Sequence, residues 1–286
     1  MSRCVFSAPN LVFAAALGLA ASAVSPESGH AAPPPPFEPP VTYADVMDLA
    51  DHAPVVVRAQ VRKVAVVEPA RSAGLRPGWR RLYVEAQTAA LLSGPPQTGA
   101  ALRYLADVAL DAKGKVPKLA RRSVLVFARA VPGRPGELQL VAPDAQVLWG
   151  PATEQRLRGI LGELLAPGAA PRVNKVREAI YVPGNLAGEG ETQLFLDTAN
   201  GEPAAISVVH TPGEAARWSV SFSEVVDTSG EPPARDTLAW YRLACFLPEA
   251  LGEGVNVSAT DEDRAQAGAD YRLVRTALGT CPRVRK

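Results

Sequence analysis

"VVVRAQVRKVAVVE", Val55 to Glu68, is the stretch on which the fold turns. Just before it, "TYADVMDLADHAP" is helical in pattern: Val46, Leu49 and Ala50 recur at helical spacing, and Thr42 and Asp45 fit a capping box. From Ala53 the period changes, and the β-branched, partly alternating run from Val55 predicts a strand. "RRLYVEAQTAALLSG" (Arg80–Gly94) follows a turn at Pro77-Gly78. "ALRYLADVAL" (Ala101–Leu110), "RRSVLVFARAV" (Arg121–Val131) and "GELQLVAPDAQ" (Gly136–Gln146) repeat the pattern, with "DAKGKVPK" and "PGRPGE" as turns between them. Five short strands with no helical insert longer than a turn or two predict a small antiparallel barrel or sandwich within residues 42–150.

Downstream the period returns to that of a helix. In "TEQRLRGILGELLAPG" (Thr153–Gly168), Leu157, Ile160, Leu161, Leu164 and Leu165 share one face and Pro167-Gly168 stops the run, so residues 151–168 are expected to bridge two halves. Residues 172–286 then hold four strand-like runs, "VREAIYV", "ETQLFLDT", "EPAAISVVH" and "ARWSVSFSEVVD". Asn200-Gly201 signals a hairpin between the second and third, and a period of two puts Trp218, Val220, Phe222 and Glu224 on one face. Two helices close the pattern: "ARDTLAWYRLACFL" (Ala234–Leu247) with a wide apolar face, and "TDEDRAQAGADYRLVRTALG" (Thr260–Gly279), capped by Thr260 with Asp263 and striped by Ala267, Tyr271, Val274 and Leu278.

The order "ADHAPVVVRAQVRKV", "YVEAQTAALLSG", "RRSVLVFARAVPGRPGELQLVAPDAQ" resembles secreted bacterial OB-like barrel domains, in which an outgoing first strand precedes a long second strand and a hairpin. It is also similar to a group of exported proteins of GC-rich proteobacteria. The resemblance spans Tyr43–Gln146; it implies a fold and carries no functional residue over. The expected class is α+β: an N-terminal five-stranded OB-like antiparallel barrel, a bridging helix, and a C-terminal antiparallel sheet with two packing helices.

The amino-terminal residues speak to compartment. Arg3 followed by "LVFAAALGLAASA" (Leu11–Ala23) fits a secretory signal peptide over residues 1–23, with a second cut at Gly29–Ala31. The apolar run falls short of the roughly 20 residues that a spanning helix needs. No cysteine follows it in a lipobox position, so no lipid anchor and no membrane span are expected after cleavage. "AAPPPPFEPP" (Ala31–Pro40) lacks the donors for helix or interior strand and is expected to form an extended tether within residues 24–41. High Ala, Arg and Pro usage, with 27 Pro, reads as a GC-rich bacterial genome, which makes the destination the periplasm or the medium. Cleavage would remove Cys4 and leave Cys245 and Cys281 in an oxidising setting, where a disulfide between them is expected.

Little in the chain looks like reaction chemistry. The net charge of +1 lacks the basic excess of a nucleic-acid binder. There is no G-x-S-x-G elbow, H-E-x-x-H or C-x-x-C, so no catalytic, cofactor or metal residue is expected. His52 and His210 read as strand-end polar residues, "DEDR" (Asp261–Arg264) as carboxylates complementing a helix dipole, and "DVALDAKGK" lacks calcium-loop spacing. "GNLAGEGET" (Gly184–Thr192) offers glycines through which amides approach an anion, although a connection between strands is the simpler role. The expected function is that of an exported, non-catalytic binding or interaction protein whose partner is a protein, a small molecule or a glycan. One alternative is a hydrolase using His210 with a Ser or Cys nucleophile, and another is a structural protein of the envelope.

Overall fold

Helix α1 (Tyr43–Ala50) begins where Thr42 and Asp45 cap it reciprocally: the Asp45 amide donates to Thr42 Oγ1, and Asp45 Oδ2 accepts the Thr42 amide at 2.9 Å. The computed structural model describes residues 41–223 and 230–285. The expected signal peptide, nearly all of the tether and Glu224 lie outside them.

Strand β1 (Val55–Val66) is the hub of the first sheet. It pairs antiparallel with β2 (Trp79–Ser93) from Val56↔Ser93 to Val66↔Leu82, and through its first half with β4 (Ser123–Ala130). Three register shifts along its β2 side bend it. With β3 (Ala101–Ala109), β5 (Leu138–Leu140) and β6 (Gln146–Leu148) the order is β3-β2-β1-β4-β5, with β6 also on β4.

Two sequence expectations are corrected here. The run 136–146 is not one strand: it holds β5 and, after a turn, only the first residue of β6, because Pro143 has no amide for a ladder and the Ala145 amide turns back to Ala142 O at 2.9 Å. The sheet is also open and not a closed barrel. Its edges meet at one parallel bridge, Arg103↔Glu137, and through the amides of Arg103 and Asp107 donating to Gly136 O and Pro143 O at 2.8 and 2.7 Å.

Helix α2 (Pro151–Leu164) starts earlier than Thr153, with Pro151 at the first helical position, where a missing amide is tolerated. Leu157, Ile160 and Leu161 are buried as expected, but Leu165 lies past the helix end and is exposed. The second sheet runs β10-β9-β8-β7, from β7 (Val173–Pro183), β8 (Gly190–Thr198), β9 (Ala204–His210) and β10 (Arg217–Ser221), all antiparallel neighbours. Helix α4 (Asp261–Leu278) lies on β7 and β8, burying Ala267, Tyr271, Val274 and Leu278.

Helix α3 is shorter than expected, Leu238–Ala244. Asp236 sits at φ 59, which interrupts the helix before its cap Thr237, and Glu163 of α2 accepts the Leu238 amide at 2.6 Å. In sequence α1, α2, α3 and α4, each helix touches the next, and one hydrophobic core runs from Met47 and Phe127 through Leu157 to Tyr241 and Tyr271.

Candidate functional site

The residues after α4 cross back to α1 as a strap with no regular secondary structure, and this brings distant acidic groups together. Gly279 ends the helix at φ 68. Cys281 then reaches Cys245 at the end of α3, with Sγ–Sγ 2.01 Å and Cα–Cα 5.2 Å. Arg283 forks onto Asp48 (2.6 and 3.1 Å), whose Oδ1 also accepts the Tyr241 hydroxyl at 2.5 Å. Burial, then this carboxylate, hold the Tyr241 phenol far above its ordinary pKa. The amides of Val284 and Arg285 donate to the two oxygens of Asp45, at 3.2 and 3.0 Å, so the carboxylate that closes the α1 cap also holds the strap. The Arg285 guanidinium grips Asp144 through its backbone carbonyl and Oδ1, both at 2.8 Å.

Val284 and Arg285 line a cleft of about 500 Å3. Trp79, Asp107, Gln146, Val41 and Pro77 also line it. Each charged group lining it has a partner. Arg76 donates to Asp144 Oδ2 at 3.0 Å while its guanidinium lies 3.7 Å over the Trp79 ring. Asp107, opposite Arg81 on neighbouring strands, takes the Arg81 fork at 2.7 and 2.9 Å. Gln146 accepts the hydroxyl of the buried Tyr104 at 2.7 Å. Arg76, Asp107, Asp144 and Arg285, the charged groups named in the cleft, are thus all engaged within the protein.

A second polar cluster lies under α4. Asp270, 2% exposed, accepts from Thr192 at 2.5 Å and from Gln266 at 2.9 Å, and contacts His210 Nε2 at 2.9 and 3.0 Å. Tyr181 stands edge-on to the imidazole, 6.2 Å between centroids, its phenol pushed up by burial and by Asp270. His210 is thus oriented by a buried carboxylate, with Gln266 3.4 Å from the same ring nitrogen, while Cys245 sits beside Cys281.

The remaining sequence candidates spend their polar groups locally. His52 Nδ1 bonds Asp48 O at 2.8 Å at the end of α1. In the 184–192 loop Glu189 accepts the amides of Asn185 and Leu186, both at 3.1 Å, so the anion in that nest is the chain's own. Asp111 accepts the Lys113 and Lys115 amides in a turn. Among the described residues no group of three or more His, Cys, Asp or Glu is placed to hold a metal, and no helix is long and apolar enough to cross a membrane.

Sequence reading missed Asp270, whose signal was a carboxylate inside the α4 apolar stripe beside Tyr271. It also missed Asp45, Asp48 and Asp144 as strap acceptors, because their partners lie far along the chain. Compared with known protein families and with curated proteins, the chain matches none.

Proposed function

We propose that the chain is an exported, non-catalytic binding protein that takes a small neutral ligand in the Trp79 cleft. One observation carries this reading: the cleft combines an aromatic wall with convergent polar groups whose charges are already paired within the protein. A charged ligand would have to break those pairs, whereas a sugar-sized neutral molecule can pack against the stacked Trp79 and Arg76 and hydrogen-bond to Asp107, Asp144 and Gln146. Export is supported by the leader-like run Leu11–Ala23 and by the pairing distance of Cys245 and Cys281. An OB-like first module is supported by the strand order, with β1 between β2 and β4 and the parallel approach of β3 to the segment entering β5.

The test is a fluorescence titration with neutral mono- and disaccharides, nucleosides and zwitterionic amino acids. A saturable change that disappears in Trp79→Phe and weakens in Asp144→Asn is expected. No saturable response to any of these ligands would overturn the reading.

A hydrolase centred on His210 is the second reading, favoured by the carboxylate-oriented imidazole. It requires a Ser or Cys nucleophile within reach of His210. Labelling of the wild type, but not of His210→Ala, by a serine- or cysteine-directed covalent probe would favour it over the binding reading.

A further inference from the structure

We infer that the acidic groove of Asp45, Asp48 and Asp144 is a docking site for an extended Arg-X-Arg peptide segment of a partner protein, occupied in this structure by the chain's own Arg283-Val284-Arg285. The inference goes beyond the Trp79 ligand and stands without it.

The seated segment defines what the groove reads. The first arginine forks onto Asp48, the next two backbone amides share Asp45, and the second arginine clasps Asp144. Only the two arginines are read by their side chains. The middle residue is read by its amide; Val284 is 45% exposed and borders the Trp79 cleft, so a residue of similar size with a free amide fits there. Forked contacts and a carbonyl acceptor favour arginine over lysine, which brings a point charge with no planar pair of donors.

The resident segment is held by polar contacts and not by a buried apolar face. It lacks regular secondary structure, Pro282, Arg283 and Val284 are exposed, and the one covalent hold is at Cys281. An incoming segment that repeats these contacts would replace it bond for bond, with no rebuilding of the core. The tether at Cys281 raises the local concentration of the resident segment, so it acts as an intramolecular competitor that keeps the groove filled until a partner outbids it.

The experiment uses the full chain with its disulfide intact and a fluorescent peptide of residues 280–286 carrying Cys281→Ser. In the Arg283→Ala/Arg285→Ala variant the competitor loses its side chains, and the peptide should bind about tenfold tighter or more than to wild type. The gain should vanish when Asp48→Asn and Asp144→Asn are added, and a Lys-Val-Lys peptide should bind more weakly than Arg-Val-Arg. Should the double variant fail to fold, hydrogen exchange on the wild type decides: saturating peptide should speed exchange of the Val284 and Arg285 amides. A folded variant with no gain in affinity, wild-type amides indifferent to peptide, or equal binding of a scrambled peptide without Arg-X-Arg would each overturn the inference. So would sedimentation showing that the variant's partner is a second copy of itself.

Discussion

At the scale of single residues, two buried polar groups in the α1 region behave oppositely. Tyr43 Oη is buried without a hydrogen-bond partner among the described residues, its ring edge-on to Trp240 at 6.2 Å. Burial, helped by Glu163 and Asp236, keeps the phenol protonated far above its usual range. Tyr43→Phe removes an unsatisfied hydroxyl and keeps the ring, so urea unfolding should show stability unchanged or raised by about 1 kcal/mol. Asp51 is the reverse case. It is gripped by Arg242 at 2.7 and 2.9 Å and by Arg172 at 2.6 Å. Burial works to raise its pKa, but the hydrogen bonds and charges of the two arginines outweigh it, and the folded value is lowered. A lowered folded pKa means that its stabilisation is present above the unfolded value of about 4 and is lost as pH falls through the folded one. Acid melts of wild type should therefore steepen below about pH 4. Asp51→Ala should flatten that limb and, by stranding the buried Arg242, lower stability at neutral pH by about 3–5 kcal/mol.

At the scale of elements, the junction of β3 and β5 rests on Gly136. Its φ is 78, and a Cβ there would lie 2.4 Å from Ala101 O, a backbone atom that cannot swing away. Gly136→Ala should destabilise by about 1–3 kcal/mol and deprotect the Arg103 amide in hydrogen exchange. Helix α4 makes a milder case: Thr260→Ala removes one half of its capping box and should cost about 1 kcal/mol. These elements also mark what the sequence could reveal. Both capping boxes were legible because cap and partner sit three residues apart, and the α4 stripe because its period is local. Helix α3 was overextended because nothing in "ARDT" announces a left-handed Asp236. The strand read across residues 136–146 hid a break at Pro143. The strap was illegible for a stronger reason: Asp45 and Asp144 meet Arg285 from 240 and 141 residues away, and no local pattern encodes such a meeting.

At the scale of the whole molecule, Cys245 and Cys281 join α3 to the strap across a separation of 36 residues. Chain entropy alone gives such a link about 4 kcal/mol. A reducing agent should therefore lower the melting temperature, and Cys245→Ser/Cys281→Ser should melt at the reduced wild-type value. An unchanged melting temperature on reduction would show that no bond forms. The acidic residues at and just after α1 carry a different consequence. Asp45, Asp48 and Asp51 find their cross-chain partners 121 to 240 residues further on. During synthesis α1 is therefore among the last of the described helices to be secured, since the partners of its carboxylates emerge much later and contacts of such separation are slow to close. If the chain is exported as proposed, the same delay would keep it open for passage through a translocation pore.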